Sequence, residues 1–84
     1  MRYAARVDAN HRSICEALGA CGWLVKDCHQ YPGFVDAVAQ RRGVTRLIEI
    51  KAKRGKLTRS QADMIAAGFD VKVLRTVEDA LGLV

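Results

Sequence analysis

Residues 45–52 read Thr-Arg-Leu-Ile-Glu-Ile-Lys-Ala, so Ile48 and Ile50 alternate with Leu47, Glu49 and Lys51. Successive side chains of a strand point to opposite faces, whereas a helix would scatter these residues around its circumference. A strand therefore fits. Two isoleucines on one face need a covering layer, and the unpaired backbone needs neighbouring strands. Phe34 to Gln40 supplies one neighbour, joined through a compact Arg41-Arg42-Gly43 hairpin turn. Trp23 to Lys26 and Val71 to Leu74 read as two further short strands.

The covering layers are helical. Ala9, Ile14, Ala17, Leu18 and Cys21 make an apolar stripe at helical spacing from about Asp8 to Cys21, with Asp8 or Asn10 as cap and Gly22 as stop. The segment from His29 to Gly33 is a loop, because Pro32 and Gly33 oppose regular structure. Thr58-Arg59-Ser60-Gln61 matches a capping box. The helix it opens runs to about Ala67, is expected to bury Ala62, Ile65 and Ala66, and ends at Gly68. Thr76 caps a last short helix through Leu81. The expected fold is α/β, α-β-β-β-α-β with a short C-terminal helix, and 84 residues make it one domain over 1–84.

Hydrophobic residues are 50% and charged residues 27% of the chain, which excludes a disordered tail. No apolar run approaches the roughly 20 residues of a membrane span, and no apolar h-region follows Arg2. The expectation is a cytoplasmic chain with no membrane partner and no small-molecule cofactor. The net charge of +5 is concentrated. Arg41, Arg42, Arg46, Lys51, Lys53, Arg54, Lys56 and Arg59 share one stretch in which Glu49 is the sole acid. Such a block attracts a polyanion, and Arg41, Arg42, Lys53, Arg54, Lys56 and Arg59 are its candidate phosphate contacts. Cys15, Cys21 and Cys28 contain no CxxC pair. With His11 and His29 they match no usual zinc-finger spacing, so three reduced thiols are expected.

Glu49 and Lys51 leave one face of their strand together. Asp36, on the neighbouring strand, can be brought beside Glu49 by the hairpin. Two carboxylates on adjacent strands form a hard oxygen site suited to Mg²⁺ or Mn²⁺, with the Ile50 carbonyl as a further ligand. Phosphodiester hydrolysis uses such a site to activate water and to neutralise the phosphoryl oxygens. Lys51 then stands by the scissile phosphate, and Gln61 can reach the water or support Lys51. Read from spacing alone, the same residues also fit a solvent-facing ion pair and an edge-strand charge that resists aggregation.

The wider pattern resembles the PD-(D/E)xK nuclease superfamily, and within it the small stand-alone virus-type replication-repair nuclease (VRR-NUC) domains. The matching text is Asp8-Ala9-Asn10, Gly33-Phe34-Val35-Asp36, Leu47-Ile48-Glu49-Ile50-Lys51, Lys56-Leu57-Thr58-x-x-Gln61 and Val77-Glu78-Asp79-Ala80-Leu81, covering nearly the whole chain. The resemblance implies a restriction-endonuclease-like core and Mg²⁺- or Mn²⁺-dependent cleavage of DNA. It makes Asp36 and Glu49 metal ligands, Lys51 the catalytic lysine and Gln61 its companion. Stand-alone members are similar to Holliday-junction resolvases, dimeric and often phage-encoded, so branched DNA and a second copy of the chain are the expected partners. Two positions depart from the family pattern. Val35 replaces the usual proline, and His11 and Ser13 stand where the first helix usually offers Glu or Gln, leaving His11 and Glu16 as its candidate contributions. The competing function is a non-catalytic DNA-binding module on the same fold. For the dimer, Tyr3, Trp23, Tyr31, Phe34 and Phe69 are the candidate shared surface, since a chain this short buries only about 60–65% of its unfolded surface.

Overall fold

The computed structural model describes residues 9–84; Tyr3 and the cap position Asp8 lie outside that range. The elements are α1 (His11–Ala20), β1 (Leu24–Asp27), β2 (Ala37–Arg41), β3 (Val44–Ile50), α2 (Arg59–Ala66), β4 (Val71–Leu74) and α3 (Val77–Leu81). The class is mixed α/β. One sheet runs in the order β1-β2-β3-β4, antiparallel at its first two pairings and parallel between β3 and β4. A parallel pair needs a crossover, and α2 lies in it. Among the described residues no helix is long and apolar enough to cross a membrane.

The core lies on the Ile48 and Ile50 face of the sheet. Ile14 and Leu18 of α1 join Ala80 and Leu83 against Ala37, Ala39, Ile48, Ile50 and Leu74, with Trp23 closing one end. The small Ala37 and Ala39 let the helical layer approach closely. Fully burying Ile14 or Leu18 stabilises the domain by about 1.5–3 kcal/mol each.

Several boundaries differ from expectation for definable reasons. Arg42 and Gly43 both take left-handed backbone (φ 52° and 80°), so the β2–β3 hairpin closes through two residues rather than three. Strand β2 starts at Ala37 instead of Phe34, because a turn in which the Phe34 amide donates to the Tyr31 carbonyl occupies the preceding residues. Helix α1 starts at His11, and Asn10 occupies the N-cap without capping. Its side-chain amide donates instead to the carbonyls of Lys51 (3.1 Å) and Arg75 (2.8 Å), which lie far away in sequence.

The largest correction concerns α2, in which no residue is buried. Ala62, Ile65 and Ala66 carry helical periodicity but face solvent. Helices α1 and α3 form the layer over the Ile48 face, and α2 meets the sheet on the other side through the Gln61–Glu49 contact at its first turn. Val38, Leu47, Val71 and Val73, on the same sheet face as Glu49, are accordingly only half-buried.

Candidate active site

Asp36, the Glu49 and Lys51 pair, and Gln61 come from three stretches of chain and meet at the end of β3. Asp36 does not lie in β2 as expected but one residue before it. The Cys28 amide donates to its carbonyl (2.6 Å), and its Oδ2 accepts the Ile50 N–H (2.8 Å). Residues in a strand send N–H and C=O to the same side, so the Ile50 carbonyl faces the Asp36 edge as well.

Glu49 is 1% exposed. Its Oε2 accepts from Gln61 Nε2 at 2.5 Å and stands 3.8 Å from Lys51 Nζ. Its Oε1 is buried and meets no donor among the described residues. Burial, then hydrogen-bonding contact with the Asp36 carboxyl and its like charge, push the Glu49 carboxyl up to about 8 against the opposing pull of Lys51. Two carboxylates this close cannot both stay ionised without a positive charge between them. A shared proton satisfies that need; so does a divalent cation.

Gln61 does two jobs with one amide. Its Oε1 accepts the Thr58 N–H (2.8 Å) to complete the capping box, while its Nε2 holds Glu49. A glutamine can do this because its amide carries an acceptor and donors on separate atoms. Lys51 lies just past the end of β3. Its N–H still pairs with the Leu74 carbonyl (3.1 Å), and its carbonyl takes the Asn10 amide, so both neighbours fix its backbone.

The other candidates separate. His11 is buried and pairs with Asp27 (3.4 Å) rather than with the carboxylates at β3, and Glu16 is exposed beside Arg12. Neither helix-one residue joins this site. The basic block divides in space. Arg41 and Arg42 sit at the hairpin, about 17 Å along β3 from Glu49 at ~3.4 Å per residue. The Arg41 guanidinium lies 4.4 Å over the Trp23 ring and donates to the Cys21 carbonyl (2.9 Å), so it clamps the fold at this end of the sheet. Arg59 is exposed and pairs with Asp63 one turn on. Lys53, Arg54 and Lys56 are exposed on the loop that follows Lys51.

Two positioning residues are not among the candidate site residues. Asn10 holds Lys51 as described, and Arg75 Nη1 donates to the carbonyls of Ala52 (2.8 Å) and Gly55 (2.7 Å), shaping the basic loop from inside. Both act on backbone carbonyls, which are invisible to residue spacing. Compared with protein-family models and with curated proteins, the chain gives no match.

Proposed function

We propose that this chain is a Mg²⁺- or Mn²⁺-dependent endodeoxyribonuclease of the PD-(D/E)xK type, akin to the small VRR-NUC domains and selective for branched DNA. The observation that carries the reading is the buried Glu49 carboxyl beside the half-buried Asp36, with one oxygen that meets no donor among the described residues and with Lys51 and Gln61 at the other. The order α1-β1-β2-β3-α2-β4, with α3 behind it, supports a restriction-endonuclease-like core.

Asp36, Glu49 and the Ile50 carbonyl form an all-oxygen donor set that fits a hard divalent ion. Such an ion, when bound, lowers the pKa of a coordinated water and offsets charge on the phosphoryl oxygens. Lys51 adds a compact positive charge beside the scissile phosphate. Gln61 fixes the rotamer of Glu49, and Lys53, Arg54 and Lys56 hold flanking phosphates. The deciding experiment is a cleavage panel of junction, flap, single-stranded and duplex DNA with Mg²⁺, Mn²⁺ or chelator. Junctions should be cut fastest and nothing should be cut in chelator; tight binding without cutting in either metal would instead identify a non-catalytic DNA-binding module.

The basic loop makes a separate prediction. Replacing Lys53 and Arg54 by alanine should weaken binding to all DNA substrates about equally. On duplex DNA the slope of log affinity against log salt should flatten by ~0.9 for each phosphate that is no longer neutralised. Arg41→Ala should leave that slope unchanged and lower the melting temperature, since its guanidinium serves Trp23 and Cys21. An unchanged slope in the Lys53/Arg54 variant would reduce the loop to a solubility feature.

A symmetric homodimer belongs to the same proposal. Phe69 and Ile65 are 52% and 39% exposed, and Tyr31 and Phe34 are exposed too. Trp23 is removed from the shared surface, because it is buried beneath Arg41. Two-fold pairing is the commonest closure for small chains. It would present two sites to a junction whose strands are themselves paired. Light scattering at micromolar concentration should give near twice 9.3 kDa; a 9.3 kDa species that cuts junction and linear duplex equally would refute the dimer.

A further inference from the structure

We infer that His11, Asp27 and His29 form a second metal centre, separate from the Asp36–Glu49 pair and suited to Zn²⁺ or a similar transition-metal ion. One ligand atom from each lies within 4.8 Å of the others. They come from the first turn of α1, the last residue of β1 and the loop that follows. Asp27 is in line with Ala37 and Ile48 across the sheet, which places this cluster on the α1 face and Glu49 on the other.

A hydrogen-bonded His–Asp–His group accounts for part of the geometry. His29 Nδ1 stands 2.7 Å from Asp27 Oδ1. It does not account for His11. That residue is 9% exposed, and its buried Nε2, at ion-pair distance from Asp27 Oδ2 (3.4 Å), has no hydrogen-bond partner among the described residues. Leaving such an atom without a hydrogen bond destabilises the fold. An imidazole nitrogen aimed at a second imidazole and a carboxylate is what a metal would satisfy. Tetrahedral ligands about 2.1 Å from Zn²⁺ stand about 3.4 Å apart, so the three groups need only small shifts to bind.

The chemistry separates the two centres. Two imidazoles and one carboxylate favour Zn²⁺, Co²⁺ or Ni²⁺ over Mg²⁺, whereas the all-oxygen pair has the opposite preference. Bound metal would tie the start of α1 to the end of β1, a staple of the kind small domains use. The tie would also steady Asp36, because Cys28, between the two ligands Asp27 and His29, donates its amide to the Asp36 carbonyl.

The test uses chelator-stripped full chain titrated with Zn²⁺ by calorimetry, and with Co²⁺ by absorption. One Zn²⁺ per chain should bind, excess Mg²⁺ should not displace it, and the melting temperature should rise. His29→Ala and Asp27→Asn should each weaken binding about tenfold or more, while Asp36→Asn should not. Asp27 and His29 are both partly exposed, so these variants should keep the fold. Co²⁺ should give visible bands without a thiolate charge-transfer band. Equal Zn²⁺ affinity in His29→Ala, a thiolate band, or no binding at micromolar Zn²⁺ would overturn the assignment.

Discussion

Lys51→Ala, Asp36→Asn and Glu49→Gln are each expected to slow DNA cleavage by ~10²-fold or more while leaving the fold intact. The three changes remove different things. Lys51→Ala deletes the positive charge 3.8 Å from Glu49 Oε2 and leaves both carboxylates in place. Asp36→Asn keeps an oxygen that can accept the Ile50 N–H, so the β2–β3 end stays closed while one negative charge is removed. Glu49→Gln keeps an acceptor for Gln61 and abolishes the charge. None of the three fills the apolar core. Circular dichroism should therefore be unchanged. Full cleavage by the Lys51→Ala protein, or undiminished cleavage in excess chelator, would refute the catalytic reading.

The second large effect is on stability as a function of pH. In the folded chain Glu49 holds its proton up to about 8, against an ordinary value of 4.5. Between those values the folded state binds a proton that the unfolded state has released, so stability must fall as pH rises. The contribution is fully present below about pH 4.5 and is lost as pH passes 8. It amounts to an effect on the order of a few kcal/mol, from about 1.36 kcal/mol per pKa unit. Metal-free melting temperatures should fall across this window, and Glu49→Gln should flatten the profile. Mg²⁺ competes with the proton for the same oxygens. It should raise the melting temperature much more at about pH 8 than at about pH 5, the two sides of that titration. An equal rise at both would separate metal binding from Glu49.

Local signals in the sequence are reliable where the chemistry is local. The alternation around Ile48 and Ile50, the Thr58–Gln61 box and the Gly43 turn each depend on residues a few positions apart, and the corresponding elements lie close to their expected places. Asp36, Glu49, Lys51 and Gln61 are also legible as a group, because hairpin pairing and a crossover bring them together. Beyond shifts at local turns, the misplaced features depend on the other layer. Periodicity in α2 says that one side is apolar, not that anything covers it. Arg41 looks like its neighbour Arg42 in sequence, but only Arg41 finds Trp23. The His11, Asp27 and His29 cluster spans three elements. Its one local trace, an Asp-x-His pair at the end of a short strand, is too common to single out.

A helix with no buried residue has to be moored by something else, and for α2 the mooring is the Gln61–Glu49 contact at its first turn. Better helix-forming residues along its outer side would make it a sturdier rod without fastening it to the sheet. The anchor is polar, placed at one end, and depends on the charge carried by Glu49. Ionisation of that one carboxyl therefore alters the grip on the first turn of an entire helix, whose other end is held by the short turn that leads into β4.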